Sequence, residues 1–243
     1  MLEAFGWGLL AASSLVVGAV LALLLPMKVR VIGVIMGFGA GVLISAVAFD
    51  LVEEAVGTAT DGWVVGVAMF AGCAVFSVGD WLIARSGGAD RKNASGKQGE
   101  GSALSIVLGT VLDGIPESIV IGITLLAGEG VGVAYLVAVF VSNLPESISS
   151  TAGLVAGGWR RSRVVWLWVA VALVSGAASA LGYGLFDGAS GDTNAVILGF
   201  AGGAILTMLA DTMMPEAFRE GGRLTGIVTT VGFVVAFTLH QLA

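Results

Sequence analysis

Two similar hexapeptides carry the side chains best suited to bind a cation. They read Asp113-Gly-Ile-Pro-Glu-Ser118 and Ser142-Asn-Leu-Pro-Glu-Ser147. On a helix, the first and fifth residues of each hexapeptide share one face, because residues four apart are neighbours there. Carboxylate, amide and hydroxyl oxygens are the donors that hard and borderline divalent metal ions accept. The hexapeptides therefore predict a metal site with these ligands: Asp113, Glu117, Ser142, Asn143 and Glu146.

Each hexapeptide also contains a proline, Pro116 or Pro145. A proline inside a helix removes one backbone hydrogen bond and frees a carbonyl one turn earlier, here at Leu112 and Val141. At membrane depth a freed carbonyl is tolerated where it lines a cavity or coordinates an ion. A simple kink is the other explanation of each proline. Two kinks at matching positions, each beside a glutamate, favour a site.

The elements that position these residues are predicted from hydropathy. Of the 243 residues, 57% are hydrophobic and 12% charged, and the mean hydropathy of +0.99 excludes a soluble domain. Segments of about 20 apolar residues span a bilayer. We therefore expect an all-α polytopic membrane protein with lipid as its surroundings and eight spans, at roughly 5–26, 31–52, 62–84, 103–127, 131–156, 164–186, 194–214 and 224–242.

Basic residues predict the orientation of the spans. All 11 Lys and Arg residues fall in alternate gaps between spans, and cytoplasmic loops carry such an excess. Both termini are therefore expected outside the cytoplasm. The Gly- and Ser-rich segment 87–102 is predicted to be a disordered cytoplasmic loop. The net charge of −6 favours cations over anions as partners, and no nucleic acid is expected as a partner.

An internal repeat organises the spans. Residues 37–55 align with residues 199–217 without a gap, at an offset of 162. The aligned spans run in opposite directions across the membrane, so helices 1–3 and 6–8 are predicted to form an inverted repeat around helices 4 and 5. This 3+2+3 plan is typical of secondary transporters with a substrate site near the midplane. Similarity of Gly- and Ala-rich composition is the alternative.

The depth of the hexapeptides decides what they can do. Their polar residues lie 10 residues (Glu117) to 15 residues (Glu146) inward of the outer helix ends at Ala127 and Val131, within a slab roughly 8 Å thick near mid-bilayer. An acid there costs about 2.5–3.5 kcal/mol. No span has an interior Lys or Arg to neutralise the acids. Either protons or a bound cation must do so, and the oxygen donor set favours a divalent cation.

Further acids lie nearer the helix ends and could mark the route of an ion. They can equally be solvated helix ends, with Glu216 and Arg219 forming a simple i,i+3 pair. His240, at the tip of the last span, is predicted not to be a ligand. The predicted entrance residues are Asp50, Glu53 and Glu54, and the predicted exit residues are Asp211 and Glu216.

The hexapeptides, the eight-helix plan and the Pro-Glu-Ala ending of helix 7 resemble the ZIP (Zrt- and Irt-like) family of divalent-metal transporters. The resemblance implies a two-metal site built by helix 4, with a His-Asn-x-Pro-Glu-Gly type motif, and helix 5, with a His/Gln-Asn/Asp-x-Pro-Glu-Gly type motif. The family's glutamates fall on Glu117 and Glu146 and its helix 5 Asn/Asp on Asn143. Its helix 4 histidine and asparagine fall on Asp113 and Gly114, and its helix 5 His/Gln on Ser142.

Departures from the family motifs bear on the metal. This chain resembles a divergent, bacterial-type member that lacks the central histidines, and Gly114 offers no side chain to a second metal position. Imidazole suits zinc, whereas carboxylate and carbonyl suit manganese, magnesium or calcium. The ion is therefore expected to be of the Zn, Mn, Fe or Mg class, carried as substrate, with no prosthetic group.

The resulting hypothesis is a transporter, not an enzyme, that moves divalent metal ions toward the cytoplasm. Direction, and elevator-like movement of helices 1, 4, 5 and 6, are implied by the resemblance alone. We expect an integral protein of a bacterial or archaeal plasma membrane, with a homodimer as a candidate assembly. One alternative is a metal-sensing or non-transporting homologue. Another is an intramembrane aspartyl protease, whose GxGD motif is matched only by Ser77-Val-Gly-Asp80.

Overall fold

The computed structural model describes residues 1–25, 27–85, 102–127 and 132–242, and within these ranges it contains helices and no strand. The prediction of an all-α polytopic membrane protein is confirmed. Apart from its last residue, the predicted disordered segment 87–102 lies outside the described residues. The long helices are α1 (Leu2–Leu24), α2 (Val29–Thr58), α3 (Gly62–Ile83), α4 (Ser102–Thr124), α5 (Val133–Ala156), α6 (Arg161–Phe186), α7 (Gly191–Gly221) and α8 (Leu224–Leu242).

Length and composition qualify seven of these helices as membrane spans among the described residues. The remaining helix, α4, has 23 residues, which is also long enough to cross the hydrocarbon core. Helices suit a chain in lipid, because each helix satisfies its own backbone N–H and C=O groups where no water is available.

Burial separates central from peripheral helices. In α2 and in α5, 67% of the most apolar stretch is buried, against 22% in α3 and 17% in α8. Helix α5 packs against α1 and α2, α4 packs chiefly against α6, and α4 and α5 also touch one another. The two helices that carry the hexapeptides therefore lie within the bundle.

Glycine sets the closest helix contacts, and it does so twice in the same way. A Cβ added to Gly41 of α2 would collide with the backbone carbonyl of Thr229 on α8. A Cβ added to Gly203 of α7 would collide with the carbonyl of Met69 on α3. Gly41 and Gly203 are separated by the repeat offset of 162. Small residues permit such approach between membrane helices, where packing rather than hydrophobicity holds helices together.

Helices α2 and α7 share a second feature, a segment of π-helix. It covers Val47–Glu53 in α2 and Leu209–Met213 in α7, and the two segments begin at positions that the 162-residue offset aligns. A π segment widens the helix by one residue per turn and is frequent at functional sites. Here the segments carry Asp50 and Asp211.

Candidate metal centre

All five predicted ligands are buried inside the bundle. The exposed fraction is 3% for Asp113, 2% for Glu117, 1% for Ser142, 7% for Asn143 and 4% for Glu146. None of these side chains faces lipid. Burial of polar groups at this depth is costly unless they are satisfied, so the bundle encloses a polar centre.

Helices α4 and α5 run on through their prolines, Pro116 and Pro145, rather than ending there. On α5 the Ser142 hydroxyl donates to the Val139 carbonyl at 3.0 Å. This bond to the preceding turn fixes the Ser142 rotamer while its oxygen can still accept or coordinate.

Helix α2 closes over α5 at the second hexapeptide. A Cβ on Gly39 would lie 3.1 Å from the Cα of Ser142 and 3.5 Å from Cγ of Pro145. A side chain at Gly39 would need its neighbours to give by a few tenths of an ångström, so this glycine favours the close approach of α2 to α5 beside the second hexapeptide.

A hydroxyl on α6 lies beside the first hexapeptide and was missed by sequence analysis. Ser175 is 5% exposed, and its Oγ is 3.7 Å from the place that a Cβ on Gly114 would take. Sequence offered no signal for it, since an isolated serine in an apolar span resembles many others. Helix α6 therefore contributes a polar group to the same region.

The three buried carboxylates were predicted to meet at one metal ion. Among the described residues, no group of three His, Cys, Asp or Glu side chains is arranged to hold a metal ion. Asp113, Glu117 and Glu146 each have polar or electrostatic interactions with their surroundings. Their joint coordination of one ion stays a prediction.

The acids proposed for the route differ in exposure. Glu53, Glu54 and Asp211 are exposed, Asp50 is half-buried, and Glu216 is 8% exposed. Glu216 accepts a hydrogen bond from Arg219 at 2.8 Å, so the i,i+3 ion pair considered from sequence is present.

His240 has a role that sequence analysis did not foresee. Its Nδ1 lies 2.7 Å from Oδ1 of Asp50, which stands 190 residues earlier in the chain. The Phe49 ring lies 5.6 Å from the imidazole and 5.1 Å from the ring of Phe237, centre to centre, so Phe49 packs against α8 beside this contact. Only tertiary structure brings the two together, which is why spacing gave no signal.

The family model described as ZIP Zinc transporter matches residues 84–240, which include both hexapeptides and helices α4 to α7. The chain belongs to the ZIP family. No curated protein matches the chain in a sequence comparison. Membership supports divalent-metal transport as the general function and a transporter rather than an enzyme, with the metal ion as substrate.

In this ZIP chain, Asp113 stands where the helix 4 motif of the family has histidine and Ser142 where the helix 5 motif has histidine or glutamine, and both are buried. Both positions therefore offer an oxygen donor in place of an imidazole. Sites with only oxygen ligands suit manganese or magnesium better than sites that contain imidazole.

Proposed function

We propose that this ZIP protein carries divalent metal ions toward the cytoplasm through a site between α4 and α5. Asp113, Glu117, Asn143 and Glu146 bind the ion directly, and Ser142 assists. The observation that carries the proposal is the burial of all five oxygen-bearing side chains in two adjacent membrane helices. Zinc, manganese, iron and magnesium are the candidate ions.

Electrostatics support a cation as the occupant. Each carboxylate costs about 2.5–3.5 kcal/mol at the centre of a membrane helix. Three of them together cost about 8–10 kcal/mol, and a bound cation lowers that cost. A divalent ion supplies positive charge to the carboxylates and leaves when the site opens. A basic side chain paired with them would stay in place permanently.

Alternating access follows from the proposed 3+2+3 inverted repeat, with both termini outside. The glycine contacts support the repeat. Gly41 of α2 lies against the carbonyl of Thr229 on α8, and its equivalent Gly203 of α7 lies against the carbonyl of Met69 on α3. The π segments of α2 and α7 begin at aligned positions, which supports it further. Two halves with equivalent contacts can exchange roles, so that the site faces one side and then the other.

The route itself is proposed from the remaining acids. Asp50, Glu53 and Glu54 attract cations at the outer end of α2, and Asp211 and Glu216 guide them out at the inner end of α7. In this proposal the Asp50–His240 contact restricts the entrance.

Uptake of metal into proteoliposomes tests the proposal. We expect Glu117→Ala combined with Glu146→Ala to abolish uptake of Mn²⁺ and Zn²⁺, and Glu117→Gln with Glu146→Gln to do the same without a change in volume. Glu3→Ala combined with Asp187→Ala, two exposed acids, is the control and should transport normally. Unchanged uptake in the Glu117 and Glu146 variants contradicts the site. Metal binding without flux in the unmodified protein would favour a non-transporting homologue.

A further inference from the structure

The connection between α5 and α6 forms a basic cavity, lined by residues 11 to 17 positions after Glu146 along the chain. Its volume is about 330 Å³, and its lining is Gly157, Gly158, Trp159, Arg160 and Arg163. The cavity belongs to neither the metal centre nor the proposed route.

The backbone of this connection is held in a defined shape. The Trp159 N–H donates to the Leu154 carbonyl at 3.1 Å, and the Gly158 N–H to the Val155 carbonyl at 3.0 Å. Gly158 has a φ of +90°, a left-handed conformation that favours glycine. This is the Schellman ending of a helix. Trp159 is also packed against the apolar cluster that contains Leu154, so the cavity wall is preorganised.

Positive charge concentrates at the cavity. The Arg163 guanidinium lies 4.9 Å from the centre of the Trp159 ring, and Arg160 stands at the N-cap of α6. Within the described ranges, no carboxylate pairs with either arginine. The first turn of α6 has no acidic residue and no side-chain cap, so its backbone N–H groups add to the positive potential.

We propose that this cavity binds the phosphate of an anionic membrane lipid. Guanidinium groups match phosphate oxygens in paired hydrogen bonds, which an ammonium group cannot do as well. Trp159 supplies an amphipathic wall of the kind found at the level of lipid headgroups. The proposal stands apart from metal transport, and it uses the proposed orientation only to place the lipid in the cytoplasmic leaflet.

A lipid is favoured over a soluble anion by the position of the cavity. It lies where α5 ends at Ala156 and α6 begins at Arg161, which is where two adjacent spans leave the hydrocarbon. Trp166, on the first turns of α6, is 72% exposed and marks the same interfacial level. Anionic lipids are enriched in the cytoplasmic leaflet, where they attract arginine residues near the membrane.

Binding at this place would join the inner ends of α5 and α6. Because α5 carries Asn143 and Glu146, a bound lipid stabilises the helix that holds half of the metal centre. Linkage then predicts a rise in thermal stability with lipid concentration.

The test uses the full-length purified protein. Binding of phosphatidylglycerol and of phosphatidylcholine is measured by native mass spectrometry, and unfolding temperature is measured in micelles containing either lipid. The variant is Arg160→Gln with Arg163→Gln. Arg85→Gln is the matched control, because Arg85, two residues past the end of α3, also stacks on a tryptophan, Trp81, at 3.8 Å. A third variant, Arg160→Lys with Arg163→Lys, keeps the charge without the paired geometry.

We expect phosphatidylglycerol to bind more tightly than phosphatidylcholine and to raise the unfolding temperature. The glutamine variant should lose affinity for it roughly tenfold or more, the lysine variant less, and Arg85→Gln should behave as the unmodified protein. Equal binding of both lipids, or full binding by a folded glutamine variant, overturns the proposal. If inorganic phosphate alone gives the same stabilisation as phosphatidylglycerol, the ligand is a soluble anion and the lipid assignment is wrong.

Discussion

Nδ1 of His240 on the last helix lies 2.7 Å from Oδ1 of Asp50 in the π segment of α2. The side chains are 30% and 16% exposed, respectively. A contact between a half-buried acid and the only histidine of the chain fastens α8 to α2 at the proposed entrance.

His240→Gln should therefore weaken this attachment. We expect a loss of about 0.5–1.5 kcal/mol in unfolding free energy, because one hydrogen bond of a partly buried acid is lost. The initial rate of metal uptake should rise if the contact closes the entrance. Thermal unfolding and uptake measure both effects. Gln241→Ala, one residue further and exposed, should change neither, and a His240→Gln protein of unchanged stability and rate would show that the contact is incidental.

Glycine contacts make a prediction about the repeat. Gly41→Ala should destabilise the protein by about 1–3 kcal/mol, because the new methyl group meets the backbone of α8. Gly203→Ala should cost a similar amount against α3. Gly57, also in α2, has open space around the position of a Cβ, so Gly57→Ala should be neutral or stabilising by up to about 1 kcal/mol.

Thermal unfolding of these three variants in one detergent measures the difference. Equal costs for Gly41→Ala and Gly203→Ala support structural equivalence of the two halves. A tolerated Gly41→Ala would mean that α2 and α8 are further apart than described.

Tyr135 gives a prediction near the metal centre. It is 1% exposed, and within the described ranges its hydroxyl has no hydrogen-bond partner. An unsatisfied buried hydroxyl is costly, so Tyr135→Phe should leave stability unchanged or raise it by about 1 kcal/mol. Differential scanning fluorimetry of the metal-free protein measures this. A clear loss of stability would reveal a partner for the hydroxyl in solution. Thr230→Val is the control for removal of a hydroxyl, because the Thr230 hydroxyl on α8 is exposed and donates to the Gly226 carbonyl.

The proposed oxygen donor set predicts a change in metal preference when an imidazole is introduced. Asp113→His should shift competition between Zn²⁺ and Mn²⁺ toward Zn²⁺, because imidazole favours zinc more than carboxylate does. Uptake of one labelled ion in the presence of the other measures the ratio. Asp187→His, in an exposed loop position, should leave the ratio as it is. An unchanged ratio in Asp113→His would place Asp113 outside the coordination sphere.

Much of the fold was predictable because lipid leaves few choices. Hydropathy locates helices well, since every backbone group in the bilayer must be satisfied internally. The hexapeptides also revealed which residues would be buried, because acids and an amide inside apolar spans have few alternatives to an enclosed site. Burial of Asp113, Glu117 and Glu146 confirms that none of them faces lipid.

Other features could not be read from the sequence. The approach of Gly39 to Ser142, the hydroxyl of Ser175 beside Gly114 and the Asp50–His240 contact all join residues far apart in the chain. Such contacts depend on how helices rotate and tilt against each other, which hydropathy does not encode. The π segments were also missed, since one extra residue in a helical turn leaves no compositional mark.

Anomalous X-ray diffraction from crystals soaked in Mn²⁺ tests the central claim most directly, because it locates the ion itself. We predict a peak between α4 and α5, with oxygens of Glu117 and Glu146 at coordination distance, about 2.0–2.3 Å. The peak should vanish in Glu117→Gln with Glu146→Gln. A peak elsewhere in the bundle, or one that survives this double substitution, would contradict the account.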